Sequence, residues 1–420
     1  MTRRVAVTGF GAVTPVGNDA ETTWQSLVVG RSGVGPITTF DPSNFPVKIA
    51  ALVKDFDLER DVPDPRAGRH LSRAGRFALA AAVQAVESAG LNGEYEPHEC
   101  GVSIGGSMGR PRLEELVEMS CLMRDSDGRE LYRQPPSMVL ERDQNVTPAR
   151  IGTELGFEGP MLSISTACTA SAHSVGEGFR LVQEGDAKVV LAGGCDALTT
   201  WFDVLGFGLL GALTKDHEDE PERASRPFDA ERSGFVLGEG AVMVVLEDLA
   251  AARARGARIY AEVVGYGSSL NAYRMTDPPP TGGGVTLAIE KALDDSGMAR
   301  EEIDYVVAHG TSTPGNDKTE TLALKQAFGD HARWLAISSN KSMTGHLTCA
   351  AGALNVLVAA RAISEGVIPP TINYEHPDPE CDLDYVPNQA RELSPRGVLV
   401  NAFAFGGTNG CLVVRRPEDA

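Results

Sequence analysis

The sequence lacks three features that would assign it early to a class of protein. Its seven cysteines include no Cys-x-x-Cys pair and are odd in number, which favours free thiols in a reducing compartment over a disulfide framework. The least polar segments, 204–213 and 347–360, are shorter than the ~20 apolar residues that span a bilayer and are interrupted by Gly, Thr or Asn. The first residues lack the apolar stretch and cleavage site of a secretory signal. These absences predict a cytoplasmic protein without a membrane helix.

Basic residues are also scarce. The 420 residues carry 38 Lys and Arg against 57 Asp and Glu, a net charge of −19, so nucleic acid and anionic membranes are poor candidate partners. The histidines have neither a partner at i+4 nor a Cys-x-x-Cys neighbour, which predicts no metal site. The early Gly-Phe-Gly matches only two glycines of a dinucleotide fingerprint and lacks the acidic residue. We therefore expect no cofactor.

Short apolar runs punctuated by glycine and proline alternate along the chain with helical patterns. The strand-like runs are 5–8, 101–104, 161–165, 189–192, 241–246, 306–308, 335–338 and 399–401. The helical patterns include 76–89, 174–184, 285–296 and 351–364. Such alternation predicts an α/β fold with helices covering the sheet, and a length of 420 residues allows two or three domains or one large two-part unit.

The two parts of the chain resemble each other. The run Val-Thr-Gly-Phe-Gly near residue 9 recurs as Val-Val-Gly-Tyr-Gly near residue 265, each interpreted as a strand ending in a glycine turn. The segment 232–246 parallels 400–414, a glycine-rich turn followed by a closing strand. We interpret this as a duplicated α/β unit with halves at 1–255 and 256–420, although two similar glycine turns could also arise by chance.

The segment 163–174 places Cys168 where a strand gives way to a helix, among small residues that allow a sharp turn. A helix N-terminus carries partial positive charge, which stabilises the nucleophilic thiolate. Cys168 is therefore the candidate nucleophile, and packing is its alternative role.

Two histidines follow apolar strands in polar turns, His309 in His-Gly-Thr-Ser-Thr-Pro and His346 in Lys341-Ser-Met-Thr-Gly-His. Together with a cysteine they favour a Cys-His-His centre for acyl-thioester chemistry, because neutral imidazoles can donate Nε2–H to a thioester carbonyl and stabilise an enolate. The loop that follows residue 401, Phe405-Gly-Gly-Thr-Asn-Gly, has backbone N–H groups that could face an oxyanion.

These motifs, in this order and almost end to end, resemble β-ketoacyl-acyl carrier protein synthases of the FabF-like (type II) group and the catalytic ketosynthase subunits of type II polyketide synthases. The resemblance implies a thiolase fold, a duplicated five-layered α-β-α-β-α core. It implies a decarboxylative Claisen condensation, in which an acyl chain joins malonyl-acyl carrier protein to give a β-ketoacyl-acyl carrier protein two carbons longer. Fatty acid and polyketide or polyene pathways both remain open.

The resemblance also implies a role for each matching residue. Cys168 would carry the acyl chain, His309 and His346 would support decarboxylation, and Lys341 would set the electrostatics around His346. The N–H groups of Cys168 and Phe405 would form the oxyanion hole, and Phe405 would gate the nucleophile.

Three further positions match family residues around the site. Thr311 and Thr313 resemble the contacts to the phosphopantetheine arm, and Glu320 resembles a buried acid near the lysine. Turn capping by the two threonines and a surface position for Glu320 are the alternatives.

Several departures from the family bear on substrate and partner. Ala404 replaces a gate-loop glycine, Met108 stands at the acyl pocket, and Cys349 replaces a glycine, where we expect it to pack. The segment 138–145 aligns with the family's dimer interface but contains three consecutive charges, which are costly to bury unpaired. A homodimer and a heterodimer with a chain-length-factor homologue both remain open.

An acidic carrier protein would need a local basic patch on this acidic chain. Arg66 and Arg69 overlap a family docking segment, whereas Gly211 stands where the family has another basic residue. Two other functions remain as alternatives: a thiolase, for which Phe405 stands where a second cysteine is needed, and a non-catalytic chain-length-factor subunit, against which Cys168 argues.

Overall fold

The computed structural model describes residues 2–91, 93–109, 113–125 and 135–418, and within them the chain forms fourteen strands and twelve α-helices. The strands are β1 (Val5–Val13), β2 (Val34–Pro36), β3 (Ile49–Ala51), β4 (Cys100–Gly106), β5 (Met161–Ile164), β6 (Val189–Asp196), β7 (Gly240–Asp248), β8 (Ala261–Leu270), β9 (Ile303–Val307), β10 (Ala336–Ser338), β11 (Val367–Ile368), β12 (Arg391–Glu392), β13 (Gly397–Phe403) and β14 (Thr408–Arg415). The helices are α1 (Ala20–Val28), α2 (Arg73–Ala89), α3 (Leu113–Asp125), α4 (Ser137–Leu140), α5 (Val146–Leu155), α6 (Ala170–Glu184), α7 (Trp201–Leu209), α8 (Leu249–Ala254), α9 (Gly283–Ser296), α10 (Pro314–Phe328), α11 (Lys341–Thr344) and α12 (Ala351–Glu365).

One ten-stranded sheet runs in the order β10-β9-β13-β14-β8-β1-β7-β6-β4-β5. Read outward from its centre, β1, β7, β6, β4 and β5 on one side correspond to β8, β14, β13, β9 and β10 on the other. The two series meet where β1 and β8 pair antiparallel, with Val5 opposite Val263 and Val7 opposite Ala261. This order is what a duplicated five-stranded unit produces. The boundary at 255/256 falls between α8 and β8 and stays a prediction.

The repeated Gly-aromatic-Gly motif lies inside β1 and inside β8, so the prediction of a strand-ending turn was wrong. Its glycines have another purpose. A side chain at Gly9 or Gly11 would collide with carbonyl oxygens of α2, and one at Gly265 or Gly267 with carbonyl oxygens of α9. Glycine is therefore required where a helix backbone lies directly on the strand, and the same requirement occurs in both halves.

The helices form layers on the two halves of the sheet. Helix α2 packs on β1, β6 and β7, and α9 packs on β8 and β14, so each covers one outer face. Between the halves lie α6, which contacts β4 and β6, and α12, which contacts β7 and β13. Residues 351–363 of α12 are all buried, which explains why all of them except Asn355 and Arg361 are apolar or glycine. Among the described residues, no helix has both the length and the apolar character to cross a membrane.

Candidate active site

Cys168 lies in a sharp turn between β5 and α6. The turn is a 3₁₀ helix, Ala167–Thr169, and Ala167 has a φ of 51°, a conformation that costs energy in a residue other than glycine. Helix α6 begins at Ala170, directly after this turn. Cys168 is half-buried next to the N-terminus of the helix. The structure thus has the strand-to-helix turn that the sequence predicts.

The thiol of Cys168 is protonated at neutral pH. Burial, and then the negative charge of Asp196, raises its pKa to about 12. Lys341 and the backbone N–H groups of Cys168 and Phe405 act in the opposite direction and lower the pKa. Burial thus outweighs the groups that favour the thiolate. The two N–H groups that favour the thiolate are the same two that were predicted for the oxyanion hole.

A cavity of about 220 Å³ opens over this cysteine. It brings together residues that are more than 200 positions apart in the chain. The predicted site residues that line it are Cys168, His309, Thr311, Thr313, Glu320, His346 and Phe405. Gly211, which stands where the family has a basic docking residue, also lines this cavity.

The two histidines face each other in the cavity as neutral imidazoles. Their ring centroids are 5.4 Å apart and the rings are nearly perpendicular, at 82°. Burial, and then the charge of Lys341, holds the pKa of both well below the usual value. Nδ1 of His346 accepts the backbone N–H of Thr348 at 3.2 Å. A neutral ring with an accepting Nδ1 carries its proton on Nε2, so His346 has a donor for the cavity.

Lys341 is buried at the start of α11, and its Nζ has no hydrogen-bond partner among the described residues. Burial lowers its pKa to about 8, against the opposing effect of the negative charge of Glu320. Glu320 itself accepts the N–H groups of His309 and Gly310, each at 2.8 Å, and the Asn401 amide at 2.9 Å. The glutamate is thus buried near the lysine and also holds the backbone that carries His309.

Phe405 lies in a tight turn with two left-handed glycines, Gly406 at φ 87° and Gly407 at φ 81°. The N–H of Gly407 donates to the carbonyl of Ala404 at 3.0 Å. The Phe405 ring is half-buried and stacks on Phe207, with 6.3 Å between the centroids. Phe405 itself lines the cavity beside Cys168.

Comparison with known proteins identifies the family. Residues 2–252 match the model "Beta-ketoacyl synthase, N-terminal domain", and residues 260–375 match "Beta-ketoacyl synthase, C-terminal domain". The chain belongs to the β-ketoacyl synthase family. It is an acyltransferase of the ketosynthase type with a thiolase fold, as the sequence motifs indicate.

Full-length relatives agree with this assignment. The chain is 45% identical over 419 residues to 3-oxoacyl-[acyl-carrier-protein] synthase 2 of Coxiella burnetii, with 99% of each chain covered. Among solved structures it matches the ishigamide ketosynthase/chain length factor at 37% identity, with a TM-score of 0.87 and all of both chains covered. It also matches a type II PKS acyl-carrier protein in complex with its ketosynthase bound to the hexaketide, at 31% identity and a TM-score of 0.87, over 99% of this chain and 100% of that one.

The remaining predicted residues of this β-ketoacyl synthase lie outside the catalytic cavity. Met108 is 60% exposed and lines a second cavity together with Asp196. Arg66 and Arg69 are exposed and line a third, shallow cavity. The structure therefore does not bring the proposed acyl-pocket and docking residues into contact with Cys168 within one chain.

The charges at 141–143 are not buried in the isolated chain. Arg142 forms an ion pair with Glu115 of α3 at 2.7 Å, and Glu141 and Asp143 are exposed. For Arg142, one of the three charges that gave reason to expect an unusual interface, the cost of unpaired burial is thus removed by a contact inside the same chain.

Two acidic residues of the site escaped the sequence analysis. Asp317, in the first turn of α10, accepts the N–H groups of Thr311 and Ser312 at 3.0 and 3.2 Å. Asp196, the last residue of β6, accepts the Thr348 hydroxyl at 2.6 Å. The only sequence signal for Asp317 is its place three residues before Glu320, which makes the two acids neighbours on one helical face.

Asp229, Glu231 and His376 form a cluster whose ligand atoms lie within 4.8 Å of one another. Arg226 already occupies it, with Nε 3.0 Å from an oxygen of Asp229 and a terminal nitrogen 3.7 Å from Glu231. A buried guanidinium supplies the positive charge that a metal ion would otherwise supply, so we interpret the cluster as an ion-pair network.

Proposed function

We propose that Cys168, His309 and His346 carry out a decarboxylative Claisen condensation between an acyl chain and malonyl-acyl carrier protein. The observation that carries this proposal is one cavity holding a thiol, two backbone N–H groups that lower the pKa of this thiol, and two neutral imidazoles. A thiol nucleophile, an oxyanion site and neutral donors are what thioester exchange followed by enolate formation needs.

In the first half-reaction Cys168 attacks the thioester carbonyl of an acyl carrier protein. The C–S bond to the phosphopantetheine breaks, and the proton of the thiol leaves with the released phosphopantetheine thiol. The tetrahedral oxyanion accepts the N–H groups of Cys168 and Phe405. Because the resting thiol has a high pKa, deprotonation accompanies attack rather than preceding it.

In the second half-reaction the malonyl carboxylate leaves as CO₂ and its electron pair forms an enolate. His346 donates Nε2–H to the thioester oxygen, and the His309 ring lies beside the His346 ring. The Lys341 ammonium stabilises the negative charge of the enolate. The enolate carbon bonds to the acyl carbon on Cys168 and the C–S bond breaks. The departing Cys168 thiolate then takes up one proton from water, which is the proton that the overall reaction consumes. Thr311 and Thr313, at the cavity wall, contact the phosphopantetheine arm.

Intact-mass measurement of the two half-reactions tests these roles. Cys168→Ala should abolish the acyl adduct formed from acyl-carrier protein and leave the fold intact, because only a small thiol is removed. His309→Ala and His346→Ala should keep more acylation than malonyl decarboxylation. Cys121→Ala, at an exposed cysteine on α3, is the matched control and should acylate normally.

Two results would contradict the assignment. A persistent acyl adduct on Cys168→Ala would exclude this residue as the nucleophile. Equal loss of both half-reactions in the two histidine variants would exclude the division of labour.

The alternatives find no support in the geometry. A thiolase needs a second cysteine at the site, but Cys411 is buried in β14, where its thiol donates to Asn401 at 3.4 Å. A chain-length-factor subunit needs no nucleophile, whereas Cys168 lines the cavity and two backbone N–H groups lower the pKa of its thiol.

The proposed macromolecular partners are an acyl carrier protein, which docks at Arg66 and Arg69, and a second subunit. The second subunit is either another copy of this chain or a chain-length-factor homologue. It completes the acyl pocket at Met108, in fatty acid or polyketide assembly. The ketosynthase–carrier complex among the similar structures supports the first partner. The proposed location is the cytoplasm.

A further inference from the structure

Two hydrogen-bonded contacts join the segment that carries Cys168 to the segment that carries Phe405. In the first contact, Oγ1 of Thr169 lies 2.6 Å from Oγ1 of Thr408 and 2.7 Å from the carbonyl oxygen of Thr166. A carbonyl only accepts, so the single proton of the Thr169 hydroxyl goes to Thr166. Thr408 is then the donor to Thr169, and the three residues form a directed chain of hydrogen bonds.

His173 of α6 makes the second contact. Its Nε2 lies 3.3 Å from the carbonyl oxygen of Asn409, and its Nδ1 lies 2.9 Å from Oγ1 of Thr166. Because the carbonyl requires a donor, Nε2 carries the proton and Nδ1 accepts the threonine hydroxyl. A side chain at Gly410 would come within 2.8 Å of this ring, so the glycine in β14 permits the approach.

Both contacts end next to the turn that presents the Phe405 N–H. The carbonyl of Thr408 accepts the N–H of Ala404 at 3.0 Å, which closes the turn around Phe405. On the other side, Thr166 and Thr169 flank the turn that presents the Cys168 N–H. A shift of Thr408 relative to Thr169 therefore changes the distance between the two N–H groups.

We propose that Thr169, His173 and Thr408 are positioning residues that set the separation of the two oxyanion-hole N–H groups. The inference rests on the proposed function, since it presumes that these groups hold the oxyanion. None of the three residues needs to touch substrate. Misplacement of a reacting group by about 1 Å costs up to 10²-fold in rate, so the contacts have a measurable role.

Removal of one hydroxyl tests the proposal. Thr408→Val keeps the shape of the side chain and loses the donor, Thr169→Val removes the other partner, and Thr408→Ser restores the hydroxyl. With hexanoyl-pantetheine as acyl donor, we expect kcat for Cys168 acylation to fall roughly 10- to 100-fold in both valine variants, with KM within twofold. Thr408→Ser should recover most of the rate, and the double valine variant should lose no more than Thr169→Val alone.

A second readout does not depend on turnover. The same two N–H groups lower the pKa of the Cys168 thiol, while the nearby charges of Asp196 and Lys341 stay in place in these variants. Iodoacetamide alkylation of Cys168 at pH 8 follows the thiolate fraction and should slow at least threefold in Thr408→Val. Thr153→Val is the control, because its hydroxyl donates to Ala149 on α5, outside the site.

The outcomes separate the two proposals. Unchanged kcat in both valine variants, a rise in KM alone, or a loss of kcat without slower alkylation would overturn the positioning role. If the wild-type protein forms no acyl adduct, the proposed function fails, and the alkylation rate still tests the positioning. If Thr408→Val does not fold, Thr169→Val tests the same hydrogen bond from its other partner.

Discussion

Lys341 is the residue whose charge state we expect to set the working pH range of the site. Its pKa of about 8 places it between two imidazoles with a pKa well below the usual value and a thiol with a pKa of about 12. Near neutral pH the site therefore contains an ammonium, neutral histidines and a protonated thiol. These states suit enolate stabilisation, because a positive charge lies beside neutral donors.

This order of pKa values predicts a one-sided pH profile for malonyl decarboxylation. The imidazoles are already neutral above about pH 6.5, so the rate should be level from there to about pH 7.5. Above pH 8 Lys341 loses its proton, and the rate should fall by up to about tenfold per pH unit. Stopped-flow detection of CO₂ in the Cys168→Ala variant checks this without interference from the thiol.

Lys341→Met, made in the Cys168→Ala variant, is the matched control for this pH profile. Its decarboxylation rate should be lower than that of Cys168→Ala at pH 7. The rate should not change across pH 8, because the group that loses its charge there is gone. A rising limb near pH 6.5 in the parent would show that a histidine titrates in the working range, and a level profile to pH 9 would show that the lysine charge has no part.

Helix α10 helps to build the site through two acidic residues that hold the backbone of the His-Gly-Thr-Ser loop. Asp317 and Glu320 accept four backbone N–H groups from the adjoining His-Gly-Thr-Ser loop, two each. Without these acceptors the loop would have several unpaired buried donors. Glu320 is predictable from the family motif. Asp317 is not, because an acid in a first helical turn usually serves as a surface charge at the helix N-terminus.

The strands and the motifs are the part of this protein that local patterns predict well. The eight strand-like runs correspond to strands, and the Cys, His and Gly-rich turns lie where a strand ends. Pairings between distant segments are not encoded locally. The collision that keeps Gly9 a glycine involves α2, and the hydrogen bond between Thr169 and Thr408 spans 239 residues. Only the fold brings these partners together.

We expect the proposed second subunit to bind at strand β5. The ten-stranded sheet ends at β10 and β5, and β10 is buried while Met161 of β5 is 47% exposed. Within the described residues β5 pairs with β4 alone among the strands, which leaves its other edge open directly before the Cys168 turn. An open edge next to an active site is a surface that needs covering.

Native mass spectrometry should find a dimer whose formation depends on this edge. Met161→Glu should weaken it, because in a homodimer the two new charges would lie close together, whereas Trp334→Glu, at an 81% exposed residue of the other half, should not. A stable, active homodimer of the wild-type chain would exclude the heterodimer. A chain that is monomeric until a chain-length-factor homologue is added would support it, and an active monomer would contradict both.

At the scale of the whole molecule, the charge of −19 determines how the protein can meet an acidic carrier. Two acidic proteins associate only where one of them has a local positive surface. In the arginine-rich segment 66–76, Arg73 is committed to Glu239, with a 2.6 Å contact, and also lies over Phe77. Arg66, Arg69 and Arg76 remain exposed. The lining of the catalytic cavity has Gly211 at one family docking position, although it also includes the exposed Arg274. We therefore expect Arg66 and Arg69 to provide part of the attraction.

Reversal of both charges should therefore weaken docking without altering chemistry. Arg66→Glu combined with Arg69→Glu should raise KM for malonyl-acyl carrier protein about tenfold at low salt, and the difference should shrink toward 0.5 M salt, where screening dominates. The rate of Cys168 alkylation should not change. The same charge change at the exposed residues Arg258 and Arg333 is the control and should have a much smaller effect. Equal KM values for the two double variants would mean that net charge, rather than this patch, governs the encounter.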